Sequence, residues 1–242
     1  MKKFQILSIF AALFLFTTKG NAQLGKLKNK VQAKTEAISK PSGLTEEEVG
    51  KGLKEALSRG VDKGVSQLSA QDGYFKDMAI KILMPEDAKK VEDKLRAIGQ
   101  GEMVDNLIES MNRAAEDAAN GAKDIFLGAI KGMTLSDAMG ILNGDDDAAT
   151  QYLNSTTRAE LYEKFLPVIK ASLDKLGTTD LWNRVFTTYN KIPLVSKVNP
   201  DLNDYATNKA IDGLFVQIAK EELAIRKNPS ARVSDLLKKV FG

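Results

Sequence analysis

The sequence predicts an all-α fold, a single compact multi-helix domain of about seven to nine helices, and three observations carry that prediction. Apolar residues recur three and four positions apart through most of the chain, as in Val49, Leu53, Leu57, Val61, Val65 and Leu68. Hydroxyl residues stand three positions ahead of a carboxylate at the heads of such runs, as in Thr45/Glu48 and Thr134/Asp137, the spacing of a capping box. Glycine and proline mark the ends of several runs, at Gly99, Gly101, Gly144 and Pro229. With 43% hydrophobic residues in 242, the chain can bury a full core without disulfides or metals.

The elements follow in order. A first helix runs over 46–68, opened by Thr45 and Glu48. It carries Gly50, Gly52, Gly60 and Gly64, each costing up to about 1 kcal/mol relative to alanine inside a helix; close packing of Gly60 and Gly64 on a neighbour accounts for them, and a surface pressed against a ligand is the alternative. Ser69 to Met84 reads as a loop with a turn at Asp72-Gly73 and a short extended alternation at Ile80, Ile82 and Met84. Pro85 opens a helix to Ile98, since proline in a first turn sacrifices no hydrogen bond. The next helix shows one stripe of Met103, Val104, Leu107, Ile108, Met111, Ala114, Ala115 and Ala118. Its other face, with Glu102, Asp105, Glu109, Glu116 and Asp117 around Arg113, reads as solvated. Gly121 interrupts it before Ile125, Phe126, Ala129, Ile130 and Met133.

Thr134 and Asp137 cap a short helix ending at Asn143-Gly144. A short helix over 148–153 then precedes a second start at Thr157/Glu160, leading into Leu161, Phe165, Val168, Ile169, Leu173 and Leu176, with a kink or restart at Pro167. Thr179 opens the helix bearing Leu181, Trp182, Val185, Phe186 and Tyr189. The last long helix covers 201–226, with Leu202, Tyr205, Ala206, Ile211, Leu214, Phe215, Ile218 and Leu223 as its stripe, and Asn228-Pro229 stops it. Ser234 caps a final short helix before Val240-Phe241-Gly242; docking of this helix on the core accounts for that ending.

The N-terminus supplies an address. Lys2 and Lys3 lead an apolar run from Phe4 to Phe16, and Gly20-Asn21-Ala22 offers the small-x-small pattern of signal-peptidase cleavage. Residues 1–22 therefore read as a signal peptide, 23–43 as a basic flexible tail, and 44–242 as the helical domain. No later stretch approaches the roughly 20 apolar residues that spanning requires, so no transmembrane segment is expected after cleavage. Removing Lys2, Lys3 and Lys19 with the leader takes the 35 basic residues to 32, level with the 32 acidic ones, which leaves no global charge to attract nucleic acid. The local excess at Lys26, Lys28, Lys30, Lys34 and Lys40 suits a solvated tether, or weak contact with an anionic membrane at roughly 1 kcal/mol per residue.

Composition also removes chemistry. There is no cysteine and no histidine, so thiol and imidazole catalysis, iron–sulfur centres and the usual zinc sites are excluded. Carboxylate pairs, Ser-Lys arrangements and oxygen-ligated cations are what remain. Asn143-Gly144 followed by Asp145, Asp146 and Asp147 offers the hard oxygens that Ca²⁺ takes. The run lacks the glycine and terminal glutamate of an EF-hand, and a helix end at Gly144 followed by a cap at Asp147 explains it structurally. A second candidate is a polar cluster in an interior pocket, drawn from Asn112, Arg113 and Glu116 with Lys209, Asp212, Glu221, Glu222 and Arg226. Arg226 stands four residues after Glu222, ordinary ion-pair spacing on one helix.

Several segments resemble, in order, a family of exported bacterial proteins catalogued as a domain of unknown function: Leu53 to Leu68 (LKEALSRGVDKGVSQL), Met111 to Ala115 (MNRAA), Ile141 to Tyr152 (ILNGDDDAATQY), Asp212 to Phe215 (DGLF), Glu221 to Pro229 (EELAIRKNP) and Leu236 to Gly242 (LLKKVFG). The resemblance covers nearly all of 44–242. It implies an envelope location, periplasmic or associated with an outer envelope, and one helical unit; it supplies no catalytic residue and no cofactor. The function expected is binding of a small apolar ligand between helices, without catalysis. The alternatives are a scaffold for another envelope protein and a carboxylate-based hydrolase. An enclosed apolar cavity, an exposed apolar patch and a polar cleft with paired carboxylates would favour these three readings in turn.

Overall fold

Every described stretch of regular structure is helical. The computed structural model describes residues 44–242 apart from 176, 192, 195, 196, 199, 200, 233 and 242; the expected signal peptide, the basic tail, Leu176 of the expected stripe and the terminal Gly242 lie outside the described residues. The α-helices are α1 (Glu46–Leu68), α2 (Lys89–Ala97), α3 (Gly101–Ala119), α4 (Ala122–Gly132), α5 (Leu135–Leu142), α6 (Ala148–Asp174), α7 (Thr178–Tyr189), α8 (Leu202–Lys227) and α9 (Asp235–Phe241), with 3-10 turns at Glu86–Ala88 and Pro229–Ala231. They belong to one compact unit.

The starts are made as the capping logic requires. Thr45 Oγ1 accepts from the Glu48 N–H at 3.2 Å and Glu48 Oε2 accepts from the Thr45 N–H at 2.8 Å, and Thr134 with Asp137 repeats the exchange at α5. Asp201 caps α8 by accepting from the Asp204 N–H. Gly99, at φ +79°, ends the run begun at Pro85, a left-handed conformation that glycine adopts without strain. Pro85 is followed first by the 3-10 turn and only then by α2.

α8 and α6 are the centre. α8 packs most extensively on α6 and then on α1, and also meets α3 and α7; α6 meets α3, α4, α5 and α7 as well. One face of α6, through Leu153, Leu161, Phe165, Ile169 and Leu173, is buried along its whole length. Phe126 of α4 meets Phe215 of α8 edge to face, with ring centroids 5.7 Å apart. The glycines of α1 are packing sites. A Cβ on Gly64 would lie 3.3 Å from Ile218 Cδ1 of α8, and one on Gly52 would lie 2.7 Å from Val240 Cγ2 of α9. No single helix among the described residues is long and apolar enough to cross a membrane; α4 and α5 qualify only as a pair, bent by 104°.

The structure departs from the sequence reading at four places. First, α6 is a single helix of 27 residues, where two were expected. The row Ala149, Leu153, Thr157, Leu161, Phe165 is uninterrupted, and the Thr157 hydroxyl donates to the Leu153 carbonyl at 2.6 Å rather than capping a new start. Pro167 stays within this helix. Both Pro167 and Glu163, whose carbonyl loses its partner, are exposed, so water can take up that carbonyl. Second, Asp147, expected to cap the helix after the acidic turn, makes no side-chain cap there. Third, Glu116, expected in solvent, is 4% exposed. Fourth, Met103, Leu181 and Leu223, expected in the core, are 37%, 37% and 44% exposed.

Candidate functional site

The expected polar cluster does not assemble in one interior pocket; its members divide among four places. On α3, Asn112 is fully buried and reads the extended segment as a neighbouring strand would: its Oδ1 accepts from the Ile82 N–H at 2.9 Å and its Nδ2 donates to the Ile82 carbonyl at 2.8 Å. Glu116 Oε1 accepts from the N–H groups of Tyr74 and Phe75, both at 3.1 Å. Arg113 pairs with Glu116 and Asp72, each at 2.8 Å, and with Glu109 at 3.2 Å; its guanidinium, held first by Glu116, is raised above its ordinary pKa. These three residues therefore clamp the loop over 69–84. Tyr74 completes the clamp from the loop side, donating to the Ala210 carbonyl of α8 at 2.7 Å.

Glu222 and Arg226 stand together elsewhere, on α8. Glu222 accepts from the Ala149 N–H at 3.0 Å and the Thr150 N–H at 2.8 Å, filling the positive end of α6 from another helix. Arg226, bonded to Glu222 at 2.8 Å, donates to the Ile141 carbonyl at the end of α5, also at 2.8 Å. One ion pair thus serves the last turn of α5 and the first turn of α6. Asp212 is apart from both groups, paired with Arg158 at 2.7 Å and more loosely with Lys209 at 4.0 Å. Glu221 bonds Lys63 of α1 at 2.8 Å.

The acidic turn lies over this junction. Asp146 pairs with Lys227 at 2.9 Å, and Asp147 accepts from the Gln151 side chain at 2.8 Å. Asp147 occupies the cap position of α6 but makes no side-chain cap there, because Glu222 already holds those N–H groups. Among the described residues no three carboxylates converge in a way that could hold a metal ion.

Two clefts lie on either side of α7. The larger, about 840 Å³, separates α7 from the α2–α3 pair. Met103 and Leu107 line its α3 wall, Leu181, Trp182, Val185 and Phe186 its α7 wall, and Leu95 and Met84 also border it. Polar groups sit among them at Gln100, Glu102, Asn106, Glu109, Ser110 and Arg113. Trp182 and Phe186 lie tilted against each other at 44°, 4.1 Å between centroids, and both are buried while Leu181 and Met103 form the open lip. The smaller cleft, about 590 Å³, is polar and is lined by the end of α6, the other face of α7 and the start of α8. Lys170, Asp174, Thr179, Asp180, Asn183 and Asp201 are among its walls. Lys170 bonds Asp174 at 2.6 Å, and that bond, with the nearby Thr179 hydroxyl, holds the Asp174 carboxyl below its ordinary value.

The apolar residues of the large cleft on α3 and α7 appear in the sequence only as core positions, while Arg113, a member of the expected polar cluster, also borders it. One signal was present: the stripe on α3 spans Met103, Val104, Leu107, Ile108 and Met111, wider than one neighbour covers. Val104, Ile108 and Met111 are buried, while Met103 and Leu107 are left to the cleft. The polar cleft had no such signal, since its walls come from three helices whose approach spacing does not reveal.

A family model described as "Protein of unknown function (DUF4197)" matches residues 43–242. No curated protein and no solved structure matches the chain.

Proposed function

The chain belongs to the DUF4197 family of proteins of unknown function, and from that premise and the geometry above we propose an exported, non-catalytic protein that holds a small apolar molecule in the cleft between α7 and the α2–α3 pair. The observation that carries the reading is the cleft itself. Its volume of about 840 Å³ falls in the ~300–1,000 Å³ range of small-molecule sites, and its inner wall is aromatic and aliphatic. The leader-like 1–22 segment supports export, and the lysines over 23–40 would give the mature chain a weak hold on anionic membrane.

Catalysis is disfavoured by composition, which lacks histidine and cysteine. The polar cleft does contain carboxylates, but Asp174 is held low by Lys170, the opposite of the raised value a general acid requires.

The sole tryptophan of the chain, Trp182, lines the cleft and reports on it directly. Titration of mature protein with an apolar probe such as decanol should saturate a change in Trp182 fluorescence, and Leu181→Arg should abolish it. Native mass spectrometry of protein taken from its own envelope should show an added mass of a small molecule that denaturation removes. A bare chain, together with a silent tryptophan, would sink the reading.

The open lip favours a second occupant. Leu181 and Met103 are each 37% exposed, so an amphipathic helix of another envelope protein could lie in the same groove. Cross-linking from Met103 would then capture a polypeptide rather than a small molecule.

A further inference from the structure

We propose that the molecule held in the apolar cleft is a cationic amphiphile, an alkyl chain carrying a protonated amine, with the amine set against the polar edge of α3. This rests on the reading above and names the class of ligand.

The two walls of the cleft differ in kind. On the α7 wall, Leu181, Trp182, Val185 and Phe186 are all uncharged and largely apolar. On the α3 wall, Met103 and Leu107 continue that apolar surface, and Glu102, Asn106, Glu109 and Arg113 border the cleft beside them. These four stand at i, i+4, i+7 and i+11, so they form one row along the helix, each about 5–6 Å from the next at Cβ. From Glu102 to Arg113 the row runs about 16 Å along the helix axis. An alkyl chain lying on the apolar surface therefore has a polar edge alongside it, and its head group meets that edge without leaving the cleft.

The charge on that edge is negative. Among the described residues, the charged side chains bordering the cleft are Glu102, Glu109 and Arg113. Arg113 is already engaged: Glu116 and Asp72 hold its guanidinium at 2.8 Å and Glu109 at 3.2 Å, so an anionic head approaching it would meet those carboxylates as well. Glu102 is exposed and has no cationic partner among the described residues. The positive ends of the two helices do not reverse the sign, since the first turns of α3 and α7 carry Glu102 and Asp180. The Asn106 amide, between the two glutamates in the row, adds an acceptor oxygen. An ammonium is a pure donor, and its N–H groups can bridge Glu102 and Asn106, or Asn106 and Glu109. A hydroxyl brings no charge to that edge, and a carboxylate brings the wrong one.

The test uses Trp182 fluorescence on the whole mature chain, at low salt and near neutral pH, with three probes of one chain length, each below its micelle concentration: decylamine, which is protonated there, decanol and decanoate. Decylamine should bind about fivefold tighter than decanol, the upper range for an exposed ion pair, and decanoate weakest. That advantage should shrink in about 0.5 M NaCl, where exposed charges are screened. The double variant Glu102→Gln with Glu109→Gln should bring decylamine to the level of decanol while leaving decanol binding unchanged. Glu102→Gln alone, at an exposed position away from the Arg113 clamp, should keep Tm and still remove part of the advantage. Decylamine that binds no tighter than decanol, decanoate that binds tightest, or an advantage retained in both variants would overturn the head-group assignment and leave the apolar cleft standing. Failure of all three probes would instead remove the small-ligand reading beneath it.

Discussion

α8 and α7 are neighbours in sequence and opposites in how they are held. α8 packs against α6, α1, α3 and α7 and buries Ile211, Leu214, Phe215 and Ile218 among them. It adds polar ties on several sides: Glu222 to the start of α6, Arg226 to the end of α5, Glu221 to Lys63 of α1, and the Ala210 carbonyl to Tyr74. α7 makes its main contacts only with α6 and α8, and a cleft opens on each of its remaining sides. Buried charge in this protein therefore marks assembly, while the place where packing stops short is the place left for a partner.

The largest expected effect tests the assembled side. Glu222→Ala leaves the Arg226 guanidinium buried without its partner and uncaps the first turn of α6, so it should lower unfolding free energy by about 3–5 kcal/mol, the range for breaking a buried pair, measured by urea denaturation. A loss below about 1 kcal/mol would mean that the junction is held by packing alone. Asn112→Ala comes next. It strands the N–H and carbonyl of Ile82, both buried with it, at a cost of about 2–3 kcal/mol, and hydrogen exchange should show the 69–84 loop opening while α8 stays protected. If α8 exchanged in step, the loop would be part of the central unit rather than clamped on it.

Titration gives the same contrast at smaller scale. Burial pushes the Tyr205 hydroxyl up to about 12, with Glu86 adding to it, and burial raises Tyr74 as well. Both must stay protonated in the fold, so the stability they contribute is intact below the unfolded tyrosine value near 10 and is lost as pH rises through the folded values. Alkaline unfolding should begin above about pH 10 and coincide with tyrosinate absorbance. At the acid end, Asp72 is held low by Lys76 and Arg113, and Asp77 by Lys220 and the Ala79 N–H. Their contribution is present above the ordinary aspartate value near 4 and fades as pH falls through the lower folded ones. Because both sit near the surface, the expected result is a modest loss in Tm below about pH 4, reduced in Asp77→Asn.

What the sequence made legible follows the same line between regions. Local rules placed α1 and α5 closely, since Thr45/Glu48 and Thr134/Asp137 act within one turn, whereas the Asp201 cap of α8 was read as part of the helix. The same rule misread Thr157/Glu160, where tertiary burial of Thr157 kept α6 going. Glu116 looked like one more surface acid because its partners, the N–H groups of Tyr74 and Phe75, lie some 40 residues away. Glu222 and Arg226 were rightly paired by spacing, but their targets on α5 and α6 were not visible in it. The clefts were least legible. A residue lining a groove has the same apolar periodicity as one in the core, and Leu181 differs from Leu214 only in what stands opposite.

Leu181→Arg is the smallest expected change in stability and the sharpest test of the comparison. Leu181 is already 37% exposed, so a long side chain there can reach solvent along the lip, and surface substitutions of this kind shift stability by about 0.5 kcal/mol or less. Its guanidinium would nonetheless stand across the mouth of the apolar cleft. The expected result is an unchanged urea midpoint with loss of the Trp182 response to decanol. The matched change on the other helix, Leu214→Arg, forces a charge into the α8 core and should prevent folding outright. If Leu181→Arg were comparably destabilising, α7 would be closed against a part of the chain, and its apolar wall would belong to the core after all.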